Sequence, residues 1–348
     1  MPASSNSGTE QKNARSFLPL RNIGVAGGAS LSCKPSSTTG QNRRMGTARS
    51  DDGIGIAGIG LMGLAMAQRL RDLGRRVLVR DIDAEREAEA RAHGAEVCAA
   101  PAALAAGCDL LIVAVVDAAQ CDAVLFGHDG AAASMRAGGC VMLCSTIGPA
   151  DVERIAARLL ESGVGCIDAP MSGGPARARD GSMSLMVACA DAWYEVHRST
   201  LEALSSRLFR VGERPGDGAR TKLVNNLLAA VNLAGAAEAM ALAERLGLDA
   251  ARTLAVVEQS SGQSWIGSDR MRRVIAGDAS PRARTALLAK DSALALEMAH
   301  GAGMQPAVGT AAAALFADAC AAGSAERDDG SVLDLARSRA GDAIGAMP

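Results

Sequence analysis

The sequence predicts an α/β fold, in which a parallel β-sheet with connecting helices is followed by an all-α region. From Asp51 onward, short apolar runs alternate with helix-like stretches, as they do in parallel sheets. The strand-like runs stop after about Gly218, and long stretches rich in Ala and Leu, broken by glycines, follow. We therefore expect one domain at 51–217 and an all-α domain at 218–348.

Length and charge narrow the class of protein. The chain has 348 residues, 49% of them hydrophobic, which is enough for one large core or two ordinary ones. A formal net charge of −2 provides no broad basic surface for nucleic acid or an anionic membrane. No uninterrupted apolar run reaches the roughly 18 residues of a membrane-spanning helix. We expect a soluble cytoplasmic protein whose partners are small molecules, with no nucleic acid and no membrane among them.

The cysteines and histidines indicate neither a disulfide framework nor a metal site. The nine cysteines are odd in number, form no CxxC motif, and several lie inside apolar strand-like runs. Buried thiols in a reducing compartment account for them. The four histidines lie far apart without the spacing of metal ligands, so we expect no metal.

Residues 1–50 have a different composition from the rest of the chain. They are rich in Ser, Asn and Gly and carry seven Lys or Arg against a single acid, Glu10. Such a segment is typical of a disordered leader, and an organelle transit peptide has a similar composition. Met45 offers a simpler interpretation, an extension upstream of the natural start.

Six short apolar runs are predicted to be the strands of the sheet. Each is bounded by turn residues or by a stretch with helical periodicity. These runs are Ile54–Ala57, Val77–Arg80, Leu110–Val115, Cys140–Cys144, Gly165–Asp168 and Ser184–Cys189.

The first predicted strand leads directly into Gly58-Ile59-Gly60-Leu61-Met62-Gly63, and an amphipathic helix follows. A GxGxxG motif between a strand and a helix is typical of Rossmann-like dinucleotide binding. Gly58 permits the tight turn, Gly60 lets the backbone approach a pyrophosphate, and Gly63 lets helix and strand pack closely. A glycine-rich turn without a ligand is the alternative, which the strand and helix on either side make less favourable.

Asp81, at the end of the second predicted strand, bears on the choice of cofactor. An acid about 20 residues after the motif can accept hydrogen bonds from the ribose hydroxyls and repel a 2′-phosphate. The sequence therefore favours NAD over NADP. Arg80 and Arg86, which could bind that phosphate, keep NADP open as the second possibility.

Lysine is scarce after residue 50, which draws attention to the two that occur. Residues 51–348 contain 27 arginines but only Lys222 and Lys290. Arginine cannot release its proton in a protein, whereas a desolvated lysine can exchange one near neutral pH. These lysines therefore indicate positions at which arginine would not serve, although chance survival of two lysines is the alternative.

Lys222 lies near the start of a long predicted helix, after the glycine-rich segment Gly216-Asp217-Gly218. Asn226 lies four residues later, so both side chains stand on one face of the helix. A Lys–Asn pair on a helix of Leu, Val and Ala is normally a surface pair, but next to this glycine-rich segment it indicates the wall of a site. Lys290-Asp291 lies on a second apolar helix, where an ordinary surface pair is an equal alternative.

Several blocks of the sequence, in order, resemble the β-hydroxyacid dehydrogenases, a 6-phosphogluconate dehydrogenase-like family that includes 3-hydroxyisobutyrate dehydrogenase and tartronate semialdehyde reductase. The resemblance extends from Gly53 to about Leu335. The blocks are Gly58-x-Gly60-x-Met62-Gly63, Ser145-Thr146-Ile147-Gly148-Pro149, Asp168-Ala169-Pro170-Met171-Ser172-Gly173-Gly174, Gly216-x-Gly218-x-x-x-Lys222-x-x-x-Asn226 and Lys290-Asp291.

The resemblance implies a role for each of these residues. Lys222 would be the catalytic lysine and Asn226 would orient the substrate. Ser172, Gly173 and Gly174 would bind the carboxylate of a small substrate, while Thr146 and Lys290 would lie along the nicotinamide end of the cofactor. The family's fold is a Rossmann-like domain followed by a helical domain, joined by the long interdomain helix that bears the lysine.

The chain also departs from the family pattern. The family usually has a proline after the fourth strand, where this chain has Val116-Asp117, and an aspartate before Ser-Thr, where this chain has Cys144. We expect the cofactor contacts there to differ from those of the family. Met171 and the segment 175–177 make the substrate loop unlike that of familiar members. The resemblance therefore leaves the choice of substrate open.

The sequence as a whole predicts an NAD(P)-dependent oxidoreductase. It would transfer a hydride between nicotinamide and a small β-hydroxy acid or its semialdehyde, of the 3-hydroxyisobutyrate or tartronate semialdehyde type, with Lys222 as general acid and base. An imine-reductase-like enzyme, which would generally lack this lysine, and a non-catalytic dinucleotide-binding module are the alternatives. We expect a homo-oligomer, either dimer or tetramer. Trp265 is expected to pack within the helical domain rather than line the pocket.

Overall fold

The computed structural model describes residues 53–342. The predicted leader at 1–50 lies outside these residues, as does the segment 343–348. The described residues belong to one compact unit.

Within residues 53–342, nine strands form a single sheet. The strands are β1 (Gly53–Ala57), β2 (Val77–Arg80), β3 (Glu96–Val97), β4 (Cys108–Val113), β5 (Cys140–Leu143), β6 (Gly165–Asp168), β7 (Met171–Ser172), β8 (Ser184–Ala188) and β9 (Arg207–Gly212). Their order is β3-β2-β1-β4-β5-β6-β8-β7, and β9 pairs with β8. The strands from β3 to β6 are parallel, whereas β8 runs antiparallel to β6 and β7. The order 3-2-1-4-5-6 is that of a Rossmann sheet.

The six predicted strands are confirmed to within two residues at either end, but three further strands were missed. β3 and β7 contain two residues each, too few for a periodic signal. β9 carries Arg207 and Arg210, pairs only with β8, and exposes Phe209. A polar edge strand lacks the continuous apolar pattern of a strand buried on both faces, which explains why the sequence did not reveal it.

Thirteen α-helices accompany the sheet in the described part of the chain. Seven lie among the strands: α1 (Leu61–Asp72), α2 (Ala84–Ala92), α3 (Pro101–Ala106), α4 (Ala118–Phe126), α5 (Pro149–Glu161), α6 (Gly174–Asp180) and α7 (Asp191–Leu204). Six follow it: α8 (Asp217–Arg245), α9 (Ala250–Glu258), α10 (Trp265–Ile275), α11 (Thr285–Gly301), α12 (Ala307–Ala319) and α13 (Val332–Asp342).

The sheet is buried on both faces. Alternate residues of β4 belong to different apolar clusters: Leu110 and Ile112 belong to one, Leu111 and Val113 to the other. This alternation follows from the two-residue period of a strand. A sheet covered on both faces requires the helices that the sequence interposes between its strands.

A third apolar cluster lies among the helices that follow the sheet. The long helix α8 has 29 residues, about 44 Å at 1.5 Å per residue, and packs against α9 to α13 as well as against β8 and β9. Phe316 on α12 is fully buried in this cluster. The predicted fold class, a Rossmann-like domain followed by a helical region with a long connecting helix, is therefore confirmed.

Two described helical segments are long and apolar enough to cross a membrane by length and composition, Asp217–Arg245 and Ala307–Ser324. Core helices of folded domains meet the same criteria. Both segments contribute buried residues to the third cluster, as core helices do.

Candidate active site

The glycine-rich turn after β1 has the shape that its sequence predicts. Gly58 adopts φ +84°, and a Cβ there would lie 2.7 Å from the carbonyl oxygen of Ala114. A Cβ at Gly63 would collide with the carbonyl oxygen of Gly58. Around Gly60 there is open space, because nothing lies within 4 Å of the position of its Cβ. Two glycines are therefore required by packing, and the third leaves room for a ligand to approach the backbone.

Helix α1 begins in this turn without a capping side chain. Its N-cap is Gly60, so the first backbone N–H groups, at Leu61 and Met62, receive no side-chain acceptor. Such groups, together with the helix dipole, favour an anion at the helix N-terminus. The residues of the turn thus fit the pyrophosphate of a dinucleotide cofactor.

Asp81 connects the end of β2 to the glycine-rich turn. Its Oδ2 accepts a hydrogen bond from the Ile59 N–H at 2.6 Å, and its Oδ1 accepts one from the Asp83 N–H at 3.0 Å. The neighbouring Arg80 is ion-paired with Glu87, with Nη1 and Oε1 2.5 Å apart. A carboxylate therefore stands beside the turn, while the guanidinium next to it already has a partner.

The start of helix α8 is bound by a buried carboxylate whose role the sequence did not reveal. Oδ2 of Asp168, at the end of β6, accepts hydrogen bonds from the N–H groups of Gly216 at 2.7 Å and Ala219 at 3.1 Å. Gly216 adopts φ +100°, and a Cβ at Gly218 would lie 2.8 Å from Cγ of Asp168. The Gly216-x-Gly218 pattern thus allows the carboxylate to approach the helix backbone.

Burial raises the pKa of Asp168 to about 6, although hydrogen bonds from Ala219, Gly216 and Gly218 lower it in part. Asp168 lies four residues before Ser172 and binds the backbone one turn before Lys222. It therefore holds the helix that carries Lys222 against the strand that leads to the Ser172 loop. The sequence contains the Asp168-Ala-Pro block and the two glycines of Gly216-x-Gly218. Because they lie 48 residues apart, the sequence does not predict that they contact each other.

Lys222 and Asn226 lie on the same buried face of α8, as their spacing predicts. Each is 7% exposed. Burial lowers the pKa of Lys222, the nearby carboxylate of Asp291 opposes this effect, and the charge of Lys290 lowers the pKa further. Within residues 53–342, no hydrogen bond is donated by the Lys222 ammonium group. A lysine in this environment holds its proton less tightly than an exposed one.

Asp291 binds two other residues of the site, and one of them reaches a third. Its Oδ2 accepts a hydrogen bond from Nδ2 of Asn226 at 2.7 Å, and its Oδ1 pairs with Nζ of Lys290 at 2.7 Å. The same Nζ donates to the carbonyl oxygen of Thr146 at 2.6 Å. The surface-pair interpretation of Lys290-Asp291 is therefore wrong, since Asp291 is only 8% exposed and Lys290 contacts the loop after β5.

The predicted carboxylate-binding residues form a tight turn between β7 and α6. Ser172 ends β7, while Gly173 and Gly174 adopt φ values of +126° and +77°. A Cβ at Gly173 would lie 2.9 Å from Cδ of Arg177. This turn requires glycine at both positions, because L-residues with side chains rarely adopt such φ values.

Trp265 does not pack inside the helical region, contrary to the expectation from its sequence. It is the first residue of α10 and is 50% exposed. The guanidinium carbon of Arg177, on α6, lies 5.0 Å from the centre of its ring. The indole ring therefore faces α6, which follows the Ser172 loop. In the sequence, only the rarity of tryptophan marks Trp265.

The sheet brings most of these groups to one edge. Gly58, Asp81 and Thr146 follow the carboxyl ends of β1, β2 and β5, and Asp168 lies at the end of β6. The carboxyl ends of parallel strands meet at the same edge, where ligands bind in open α/β sheets. The cluster of Lys222, Asn226, Asp291 and Lys290 reaches this edge through Thr146 and Asp168.

Comparison with known proteins agrees with this arrangement. Residues 53–212 match the family described as the NAD binding domain of 6-phosphogluconate dehydrogenase. Residues 216–336 match the family described as NAD-binding of NADP-dependent 3-hydroxyisobutyrate dehydrogenase. Together the two matches extend over almost all of the described residues.

Individual relatives match over most of their length. L-threonate dehydrogenase of Cupriavidus necator is 36% identical over 282 residues, which cover 81% of this chain and 95% of the relative. Human mitochondrial 3-hydroxyisobutyrate dehydrogenase is 30% identical, with 82% and 86% covered. The crystal structure of 3-hydroxyisobutyrate dehydrogenase from Salmonella typhimurium superposes with a TM-score of 0.77 at 35% identity, covering 82% of this chain and 100% of that one.

These similarities decide among the functional alternatives. The curated relatives are dehydrogenases of hydroxy acids, so neither an imine-reductase-like enzyme nor a non-catalytic module is favoured. A further similar structure, at 26% identity and a TM-score of 0.76, holds NADP+. The protein is an NAD(P)-dependent oxidoreductase of hydroxy acids. With its two family matches, its glycine-rich cofactor turn and its buried lysine on the connecting helix, the chain belongs to the β-hydroxyacid dehydrogenase family.

Proposed function

We propose that Lys222 transfers the hydroxyl proton when a small hydroxy carboxylate is oxidised and returns it when the carbonyl is reduced. The observation that carries this proposal is the buried position of Lys222, whose ammonium group donates no hydrogen bond within residues 53–342 and whose pKa is lowered by burial. Neutral Lys222 has a lone pair with which to accept the hydroxyl proton. Protonated Lys222 can donate it back, as general acid–base catalysis requires.

The remaining groups are proposed to hold the reactants around Lys222. When bound, the nicotinamide ring accepts the hydride in oxidation and supplies it in reduction. The turn at 58–63 binds the pyrophosphate, and Thr146 and Lys290 flank the nicotinamide end. This assignment rests on the position of Thr146 after β5 and on its bond to Lys290.

Asn226 is proposed to orient the substrate oxygen beside Lys222. Its Nδ2 has two N–H donors, of which Asp291 accepts one at 2.7 Å. The second N–H remains for the substrate. Asp291 therefore sets the direction of the amide, and Asn226 donates to the oxygen that Lys222 deprotonates.

Ser172, Gly173 and Gly174 are proposed to bind the substrate carboxylate. A hydroxyl group and closely spaced backbone N–H groups can together stabilise an anion. The positive φ values of both glycines bring backbone rather than side chains to the surface of the turn. This arrangement favours a small acid, because the carboxylate would contact the backbone of the turn directly.

NAD is proposed as the preferred cofactor. The Asp81 carboxylate lies beside the glycine-rich turn, at the position proposed to bind the adenosine ribose, and Arg80 is ion-paired with Glu87. A 2′-phosphate would thus meet a negative charge without a free guanidinium beside it. We expect Asp81→Asn, which keeps an acceptor for the Ile59 N–H, to lower the ratio of kcat/KM with NAD to that with NADP. A wild-type enzyme that prefers NADP would contradict the assignment.

L-threonate, or another short polyhydroxy acid, is proposed as the substrate. Several curated relatives at 33–36% identity are L-threonate dehydrogenases. Hydroxy acids of the 3-hydroxyisobutyrate type and the reduction of tartronate semialdehyde are the other candidates. The test is formation of NADH or NADPH with a panel of these acids. Failure to oxidise any of them, together with failure to reduce the semialdehyde, would contradict the proposed activity.

We propose that the protein forms a dimer or tetramer in the cytoplasm. We also propose that its two domains meet at 217/218. Val224 and Leu228 on α8 are an exposed apolar pair, as are Leu242 on α8 and Leu246 just after its end. Contact with a second copy would bury both pairs. The division is supported by the end of β9 at Gly212 and the start of α8. Light scattering in solution tests the oligomer.

A further inference from the structure

Arg177 extends from the predicted carboxylate-binding turn toward the helical region. It lies on α6, and its Cδ passes so close to Gly173 that a Cβ there would be 2.9 Å away. Its guanidinium carbon stands 5.0 Å from the centre of the Trp265 ring. The side chain thus spans the space between the Ser172 loop and the start of α10.

The N–H donors of the Arg177 guanidinium have no acceptor among the described residues. Within residues 53–342, it makes no ion pair and no hydrogen bond. Asp180, the acid on the same helix, accepts a hydrogen bond from the Ser182 N–H at 2.8 Å. Hydrogen bonds from Ser182 and, to a smaller extent, the charge of Arg177 lower the pKa of Asp180. Arg179, two residues away, is paired with Asp72 at 2.5 Å. A guanidinium has five N–H donors in one plane, and stacking on an aromatic ring leaves the edges of that plane free.

The position of Trp265 indicates which part of helix α8 lies near Arg177. At the start of α10, a Cβ at Gly267 would lie 3.0 Å from Cβ of Ala236 and 3.9 Å from the carbonyl oxygen of Asn232. Asn232 lies ten residues beyond Lys222, which corresponds to about 15 Å along α8. Arg177 and Trp265 therefore lie between the Ser172 loop and the part of α8 beyond Lys222.

We propose that Arg177, held over Trp265 beside the Ser172 loop, is a subsite for an oxygen acceptor of the substrate other than its carboxylate. The inference rests on the function proposed above and narrows its substrate class. An acid that carries further hydroxyl groups or a second carboxylate gains hydrogen bonds from the guanidinium. An acid that ends in a methyl group leaves the guanidinium without an acceptor.

The experiment compares three acids that share a carboxylate and a hydroxyl group. L-threonate carries further hydroxyl groups, 2-(hydroxymethyl)glutarate carries a second carboxylate, and 3-hydroxyisobutyrate carries a methyl group. The values of kcat/KM are measured for wild type, Arg177→Met and Arg177→Lys. Arg179→Met, on the same helix but outside the proposed subsite, is the matched control. Melting temperatures establish that each variant is folded.

We expect Arg177→Met to lower kcat/KM for L-threonate or for 2-(hydroxymethyl)glutarate by about 10–100-fold, the value of hydrogen bonds to a charged donor. Arg177→Lys should recover part of the loss, because it restores the charge. Activity on 3-hydroxyisobutyrate should change by no more than about twofold, and Arg179→Met should leave the ratios among the acids unchanged. Whichever of the first two acids loses more identifies the acceptor as hydroxyl or carboxylate.

Two results would overturn the subsite while leaving the proposed function standing. An equal loss on all three acids would mean that Arg177 binds the carboxylate they share or supports the fold. Unchanged ratios in Arg177→Met would mean that it does not contact the substrate. A wild-type enzyme inactive on every acid contradicts the proposed function itself, and the subsite is then rejected with it.

Discussion

Lys222 and Lys290 have different surroundings, although both lie on apolar helices and on the wall of the same cleft. Lys222 is nearly buried, and its ammonium group donates no hydrogen bond within the described residues. Lys290 is ion-paired with Asp291 and donates to the carbonyl oxygen of Thr146. This difference is the one expected from the roles proposed for them, proton transfer for Lys222 and anchoring of a helix to a loop for Lys290.

The comparison also separates the roles of their shared neighbour. Asp291 binds Lys290 directly and influences Lys222 only through its charge and through Asn226. The carboxylate is therefore ion-paired with Lys290, while its charge raises the pKa of Lys222, the proposed proton-transfer group. The two lysines should respond differently to the same substitution.

The largest effect is expected from Lys222→Arg, which should be nearly as inactive as Lys222→Ala. Arginine keeps the charge but cannot release a proton, so kcat should fall by about 10²–10⁴-fold, as on loss of a general acid or base. Steady-state kinetics separates this from a loss of attraction for the anion, which would appear mainly in KM.

Binding of NADH, followed by its fluorescence, serves as the control for Lys222→Arg. The turn at 58–63 is untouched, so the dissociation constant should stay near the wild-type value. An active Lys222→Arg enzyme with near-normal kcat would overturn the proton-transfer role and leave the fold and cofactor site as described.

An intermediate effect is expected from Asp291→Asn. The Asp291 carboxylate raises the pKa of Lys222, so removing its charge should lower that pKa further. Because oxidation needs neutral Lys222, kcat/KM for oxidation rises with pH through this pKa, and the rise should move to lower pH. We also expect a loss of kcat of about tenfold from weaker orientation of Asn226. A shift of the rise to higher pH would contradict this account of Asp291.

The smallest effect is expected from Lys290→Arg. Arginine keeps the charge and can donate both to Asp291 and to the Thr146 carbonyl, so kcat/KM should fall by less than about tenfold. Measured beside Lys222→Arg under the same conditions, this variant tests whether Lys222 needs an exchangeable proton while Lys290 needs only a positive charge. If both variants are equally inactive, Lys290 does more than anchor the cleft.

The sequence alone determined those features that depend on neighbouring residues. The strands of the parallel sheet, the turn at 58–63 and the shared face of Lys222 and Asn226 all follow from spacing along the chain, with periods of 2 and 3.6 residues. The family resemblance added the expected roles of Ser172, Thr146 and Lys290. The short strands β3 and β7 were missed because two residues carry no period.

Only the tertiary structure decided which of these local features meet. Asp168 binds the start of α8 across 48 residues of sequence, and Lys290 reaches Thr146 across 144. The stacking of Arg177 on Trp265 joins α6 to α10 in the same way. Such contacts leave no periodic trace along the chain, because the position of each partner is set by the packing of the strands and helices that lie between them in the sequence.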